Sequence, residues 1–187
     1  MRSDLLMPIY TKGGDGGVTG LPTGKRLSKA DGLFETLGSL DQTNAAIGLA
    51  VSQLEKQEEI IKQLVGVQAA LFNVGAFLAD PSHQKKQLAP LTDLTIKMEE
   101  LIDRWEKETG PVAHFLIPGG APASASLQLA RAISRSSERN YHRLVAGDPS
   151  QEISQFLNRL SDFLFQAARV VNFRLGQPED QWPLGTK

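Results

Sequence analysis

The 187-residue chain contains no cysteine, which excludes disulfides, thiolate metal sites and cysteine nucleophiles, and fits a reducing compartment. A dominant charge sign is also missing. The net charge of −1 lacks the basic excess that a phosphate-neutralising surface carries, so no nucleic-acid partner is expected. No apolar run reaches the roughly 18–20 residues needed to cross a bilayer, and the N-terminus has no apolar signal region, so no membrane partner is expected either. Neither β-alternation nor an internal repeat is evident. His83, His114 and His142 have no ligand spacing and no cysteine or paired-carboxylate partners, which argues against a zinc site. With 41% hydrophobic and 22% charged residues the composition is that of a soluble, cytoplasmic globular protein, most simply one domain.

What is abundant is glycine, and it is concentrated. Five glycines fall between residues 13 and 20, in Tyr10-Thr11-Lys12-Gly13-Gly14-Asp15-Gly16-Gly17-Val18-Thr19-Gly20. Without Cβ atoms, such residues let successive backbone N–H groups turn toward one anion. Lys12 adds a point charge, and Thr11 and Thr19 add hydroxyls suited to phosphate oxygens. A flexible leader would show the same glycines, but not Tyr10, Lys12, Asp15 and two threonines with them. The pattern is not a Walker A loop: Gly24-Lys25 has no glycine at the upstream spacing, and Arg26 stands where Ser or Thr would hold magnesium.

Beyond Lys29 the chain reads as helices. Apolar spacing predicts them over about Gly32–Leu54, Glu58–Leu78, Leu88–Lys107, Ala123–Val145 and Gln151–Phe173. The stripes are Leu33, Leu37, Leu40, Ile47 and Val51 on the first, and Ile61, Leu64, Gln68, Leu71 and Gly75 on the second. Asp80-Pro81 and Gly110-Pro111 supply stops, and Ser150 is a candidate N-cap. Trp105 and Trp182 read as packing anchors. Five helices with short connections describe an all-α, five-helix up-and-down bundle. The predicted organisation is an N-terminal segment over 1–29, a bundle over 30–176 and a tail over 177–187.

Polar residues interrupt the apolar stripes. Arg131, Arg135, Glu138 and His142 are spaced by four, three and four, giving one charged stripe on the fourth helix. Asp41 and Asn44 share a face of the first helix, and Asn158 and Asp162 lie one turn apart on the fifth. A solvated face with local pairs such as Arg135–Glu138 is the simple account of any one of these. Together they suit a ligand site built from facing helices, and two arginines one turn apart suit a polyphosphate.

These segments, taken in order, resemble the ATP:cob(I)alamin adenosyltransferases of the trimeric PduO type. The matching pieces are Tyr10-Thr11-Lys12 with Gly14-Asp15, Gly17 and Thr19; Arg26-Leu27-Ser28-Lys29; and Gly38-Ser39-Leu40-Asp41 with Asn44. Further along come Phe115-Leu116-Ile117-Pro118-Gly119-Gly120; Arg131, Arg135 and Glu138-Arg139; Phe156 through Phe165; and Gly176, Glu179 and Trp182. The resemblance implies a ferritin-like bundle that assembles as a homotrimer with active sites between subunits. It implies transfer of the 5′-deoxyadenosyl group of ATP to the cobalt of cob(I)alamin, giving adenosylcobalamin and triphosphate. ATP with magnesium would be bound by Thr11, Lys12, Gly14, Asp15, Gly17, Thr19 and Lys29 of the N-terminal loop, with Arg135, Glu138 and Asn158. Glu138 would be the one residue near the metal, which the phosphates mainly hold. Arg131 would pair with Asp41 across the interface, and Phe115, with Asp41, would meet the corrin. Arg135, Phe115, Asp41 and Arg131 are thus the expected catalytic set. A cob(II)alamin reductase and an adenosylcobalamin-dependent enzyme are the implied partners.

The chain departs from the family pattern at three places. Gly13 follows the motif lysine where threonine is common, Gln42 replaces a glutamate, and Ser136 replaces the second of two adjacent arginines. The alternative reading within the same fold is a catalytically weak carrier or escort that binds cobalamin or ATP. A helical interaction module is the alternative outside it.

Overall fold

The computed structural model describes residue 10, residues 12–81, residue 88 and residues 90–182. Thr11 and His83, singled out above, lie outside the described residues. The architecture is a two-stranded ribbon, β1 (Val18–Gly20) and β2 (Arg26–Ser28), followed by α1 (Gly32–Ser52), α2 (Glu58–Ala79), α3 (Pro90–Thr109), α4 (Pro122–Leu144) and α5 (Gln151–Arg174). The five helices match the expected spans to within two residues at every end.

The ends have visible causes. Asp31 caps α1 by accepting from the Leu33 N–H at 2.9 Å. Pro122 opens α4, where its missing N–H costs nothing. Ser150 caps α5 through the Ile153 N–H, with Glu152 in the first turn favoured by the helix dipole. Gly110, at φ +81°, ends α3 in a conformation that favours glycine.

In space the helices run α2–α1–α4–α5–α3, with α1 on α4 and α4 on α5 as the most extensive interfaces. Helix α5 is the centre of the core. Phe156, Leu160, Phe163, Leu164, Ala167 and Val171 are fully enclosed, and Phe163 stacks obliquely on Trp105 of α3 with centroids 5.5 Å apart. Each such leucine or phenylalanine contributes about 1.5–3 kcal/mol. On α2 the buried line is Ile60, Leu64, Val67, Leu71 and Val74, rotated from the predicted stripe. Gln68 and Gly75 face α1 instead: the Asn44 and Gln68 amides each donate to the other's backbone carbonyl at 3.0 and 3.1 Å, and Gly75 lies against Leu37.

Three expectations need correction. The antiparallel ribbon, registered Val18 to Ser28, is β structure that three-residue strands were too short to announce. Trp182 is no packing anchor, being 58% exposed. Among the described residues, α2 alone is long and apolar enough to meet the length and composition of a membrane span, although Lys62, Gln63, Gln68 and Asn73 interrupt it. Its burial against α1 accounts for part of that apolarity.

Candidate functional site

The glycine loop is shaped by its own backbone and one arginine. Asp15 N–H donates to Lys12 C=O and Gly17 N–H to Gly14 C=O, closing two successive turns. Lys12 is held at φ +58° and Gly17 at φ +78°. For lysine that left-handed conformation costs energy, so the loop fixes where this cation sits. Arg26 on β2 reaches back to donate to the carbonyls of Gly13 (2.6 Å) and Val18 (3.2 Å). Lys29 N–H donates to Gly17 C=O, and its ammonium lies so close to Gly14 that a Cβ there would press on it at 3.2 Å. Gly14, Gly17 and Lys29 are therefore one unit. Arg26 was read only as part of a motif; its structural role had no signal in spacing.

On α4 the charged stripe is only partly internally satisfied. Arg131 Nε donates to Gln128 Oε1 at 2.7 Å. Burial, and then the like charge of Arg135, lower its pKa. Glu138 does not pair with Arg135: its Oε1 accepts from Asn158 Nδ2 at 2.9 Å, linking α4 to α5. Ser136 takes a bond from Arg139 (2.8 Å). Among the described residues, Lys12, Lys29, Asp41 and Arg135 have no ion-pair partner. Three unpaired cations and a glycine cradle suit a polyanion.

The expected Asp41–Arg131 pair is absent within one chain. Asp41 is exposed and lines a groove of about 330 Å³ between α1 and α2, with Leu37, Phe72 and Ala76. Arg131 lines a different cavity, of about 520 Å³, with Val112, His114, Phe115, Leu116, Gln128 and Phe165. At its mouth Phe115 is 77% exposed. An ordinary core phenylalanine would be enclosed, and this one is presented to solvent from a loop. His114, considered above only as a metal ligand, lines the same cavity.

Among the described residues no group of three or more His, Asp or Glu could hold a metal ion. Glu138 offers one carboxylate beside Arg135. That fits magnesium, which typically uses one or two carboxylates plus substrate phosphates rather than a protein cage.

Comparison with known proteins identifies what the chain as a whole resembles. A family model described as cobalamin adenosyltransferase matches residues 9–171. The corrinoid adenosyltransferase of Bacillus subtilis (strain 168) is 39% identical over 178 residues, covering 91% of this chain and 89% of that protein. The corrinoid adenosyltransferase MMAB of Homo sapiens is 36% identical over 186 residues, covering 95% of this chain and 74% of the relative. A variant of the PduO-type ATP:corrinoid adenosyltransferase from Lactobacillus reuteri, solved in complex with cobalamin and ATP, superposes with a TM-score of 0.85 at 30% identity. That match covers 96% of this chain and 98% of the other.

Proposed function

The chain belongs to the cobalamin adenosyltransferase family, and from that premise we propose how its residues carry out the family's reaction. The protein transfers the 5′-deoxyadenosyl group of ATP to the cobalt of cob(I)alamin. The cobalt lone pair attacks the 5′ carbon, the cobalt–carbon bond forms, and the carbon–oxygen bond to triphosphate breaks. Cob(I)alamin is a strong nucleophile, so no side chain has to act as a base. The protein's work is to position the 5′ carbon and to stabilise the charge that develops on the leaving triphosphate.

Lys12, Lys29 and the turned amides of Gly14 through Gly17 bind the phosphates, with Thr11, Asp15 and Thr19 completing the segment. Arg135 faces the leaving group with Glu138 on the magnesium side, and Asn158 orients Glu138. Magnesium neutralises phosphate charge when bound. Arg131 and Phe115 form the corrin side of the site. Phe115 carries this reading, as a mostly exposed ring at the mouth of an apolar cavity. Against the lower corrin face such a ring displaces the axial ligand and excludes water, which makes cobalt(II) easier to reduce.

The site lies between copies of the chain in a homotrimer. Among the described residues the loop cations and Arg135 have no ion-pair partner, and Asp41 and Arg131 line separate cavities, each available to a neighbour. Phe72 (68% exposed) and Val65 lie seven residues apart on one face of α2, and with Leu49 of α1 they leave apolar surface uncovered. Burying that surface against a neighbour is the physical drive for assembly. The cysteine-free composition fits a cytoplasmic location, where a cob(II)alamin reductase and an adenosylcobalamin-dependent enzyme would supply the electron and use the product.

The test is anaerobic. Purified protein, ATP, magnesium and chemically reduced cob(I)alamin should give the visible spectrum of adenosylcobalamin with stoichiometric triphosphate. ATP binding without transfer would make the protein a carrier, and neither binding nor transfer would refute the reading.

A further inference from the structure

The loop that presents Phe115 has little structure of its own. Between Pro111 and Pro118 its backbone makes two hydrogen bonds to other segments among the described residues, and both go to the C-terminal tail. Ile117 N–H donates to Asp180 C=O and Trp182 N–H donates to Phe115 C=O, each at 2.7 Å. Leu116 faces Gln181 between them in an antiparallel bridge.

The tail is itself held from α5. Arg169 is 3% exposed in the middle of an apolar run, where an unpaired guanidinium would be costly. Its Nε donates to both carboxylate oxygens of Glu179 at 3.2 Å. Its remaining donors go to Gly110 C=O (3.0 Å), Gln166 Oε1 (3.3 Å) and Thr109 C=O (3.5 Å). One turn on, Asn172 Oδ1 accepts from Ala121 N–H (3.0 Å), its Nδ2 donates to Gly119 C=O (3.2 Å), and its carbonyl accepts from Gln177 N–H (2.9 Å). Two residues of α5 thereby hold the start of the loop, its end and the tail that backs its middle.

We infer that Arg169, Asn172 and Glu179 are positioning residues for Phe115, acting through the 177–182 tail as a brace that fixes the ring's height over the cavity. No residue of 177–182 is buried, so the brace adds nothing to the core. Were covering the bundle end its only task, an apolar contact would serve as well as a buried ion pair. The guanidinium fork instead fixes direction and register. The inference rests on the reading of Phe115 given above.

Glu179→Ala releases the tail. The double variant Arg169→Met with Glu179→Met removes the pair without leaving a buried charge, and so decides the matter if the single variant does not fold. The probe is cob(II)alamin with ATP and magnesium. Electron paramagnetic resonance reads the fraction of cobalt(II) without an axial ligand, which a merely structural role in a folded protein would not move. Turnover is followed from cob(II)alamin plus reductant and from pre-reduced cob(I)alamin, which has no axial ligand to displace. We expect the ligand-free fraction to collapse and turnover from cob(II)alamin to fall at least about tenfold. ATP affinity should stay within about twofold, and turnover from cob(I)alamin should fall much less. Folded variants that keep the wild-type fraction and the wild-type cob(II)alamin turnover overturn the brace alone. If the wild-type protein also shows no ligand-free cobalt(II), the reading of Phe115 falls and the brace falls with it.

Discussion

Replacing Arg135 with alanine isolates one charge assigned to the leaving triphosphate. The side chain is exposed on α4, with no ion-pair partner among the described residues, while its neighbours Arg131 and Glu138 are each engaged. Nothing in the fold leans on it, and alanine is the better helix former, so thermal stability should be unchanged or slightly raised. The functional loss is a different quantity. A charge-assisted hydrogen bond contributes about 1.5–3 kcal/mol, which corresponds to roughly ten- to 150-fold in an equilibrium or rate ratio. The assay is kcat/KM for ATP with chemically reduced cob(I)alamin, so that reduction does not limit the rate. Arg135→Lys should lie between the two, since it keeps the charge but loses the planar fork. If Arg135→Ala is folded and its kcat/KM for ATP equals that of the wild type, Arg135 does not touch the phosphates and the α4 half of the site is wrongly assigned.

Other perturbations probe the rest of the molecule. Phe115→Ala should leave melting and ATP affinity unchanged, because the ring is largely in solvent, while turnover from cob(II)alamin is lost; survival of that turnover refutes ligand displacement by the ring. Gly120→Ala should lower the urea midpoint, because the residue sits at φ +91° and a methyl there overlaps the Asn172 amide. Strain of about 1–3 kcal/mol is expected, and an unchanged midpoint would show that the loop end yields freely. The hydrogen bond from Arg174 to Glu108, opposed by burial and helped by the charges of Arg174 and Arg104, lowers the Glu108 pKa from 4.5. Its contribution is therefore full above pH 4.5 and fades as pH falls through the lowered native value. Glu108→Gln should be less stable than wild type by up to about 1 kcal/mol near neutrality, with the gap closing in acid; a gap that persists in acid would contradict the assignment.

The helices were legible because each buries a face wide enough to impose its period over some twenty residues. Leu91, Met98 and Leu101 on α3 and Phe156, Leu160 and Leu164 on α5 lie in the core at helical spacing. The α2 stripe was read one residue off because Gln68 looked like part of it, and that amide is satisfied by α1 backbone rather than by the core. The ribbon escaped notice for a different reason. Three residues per strand leave no room for alternation, and its order comes from the Arg26 and Lys29 contacts rather than from burial.

The site was harder to read, and the reason is geometric. Asp41 and Phe115 line separate cavities within one chain, and the site proposed from them spans copies of the chain, so no spacing rule could assemble it. The brace behind Phe115 had a signal that went unused. Arg169 stands in Ala167-Ala168-Arg169-Val170-Val171, a stretch buried on every side. No helical face is left there to solvate a charge. Such an arginine must find its partners inside the protein, and a carboxylate ten residues later, just past the glycine that ends the helix, is the one the chain provides. A buried cation in an all-round apolar run therefore predicts a returning tail, and here that tail is bonded to the loop that presents Phe115.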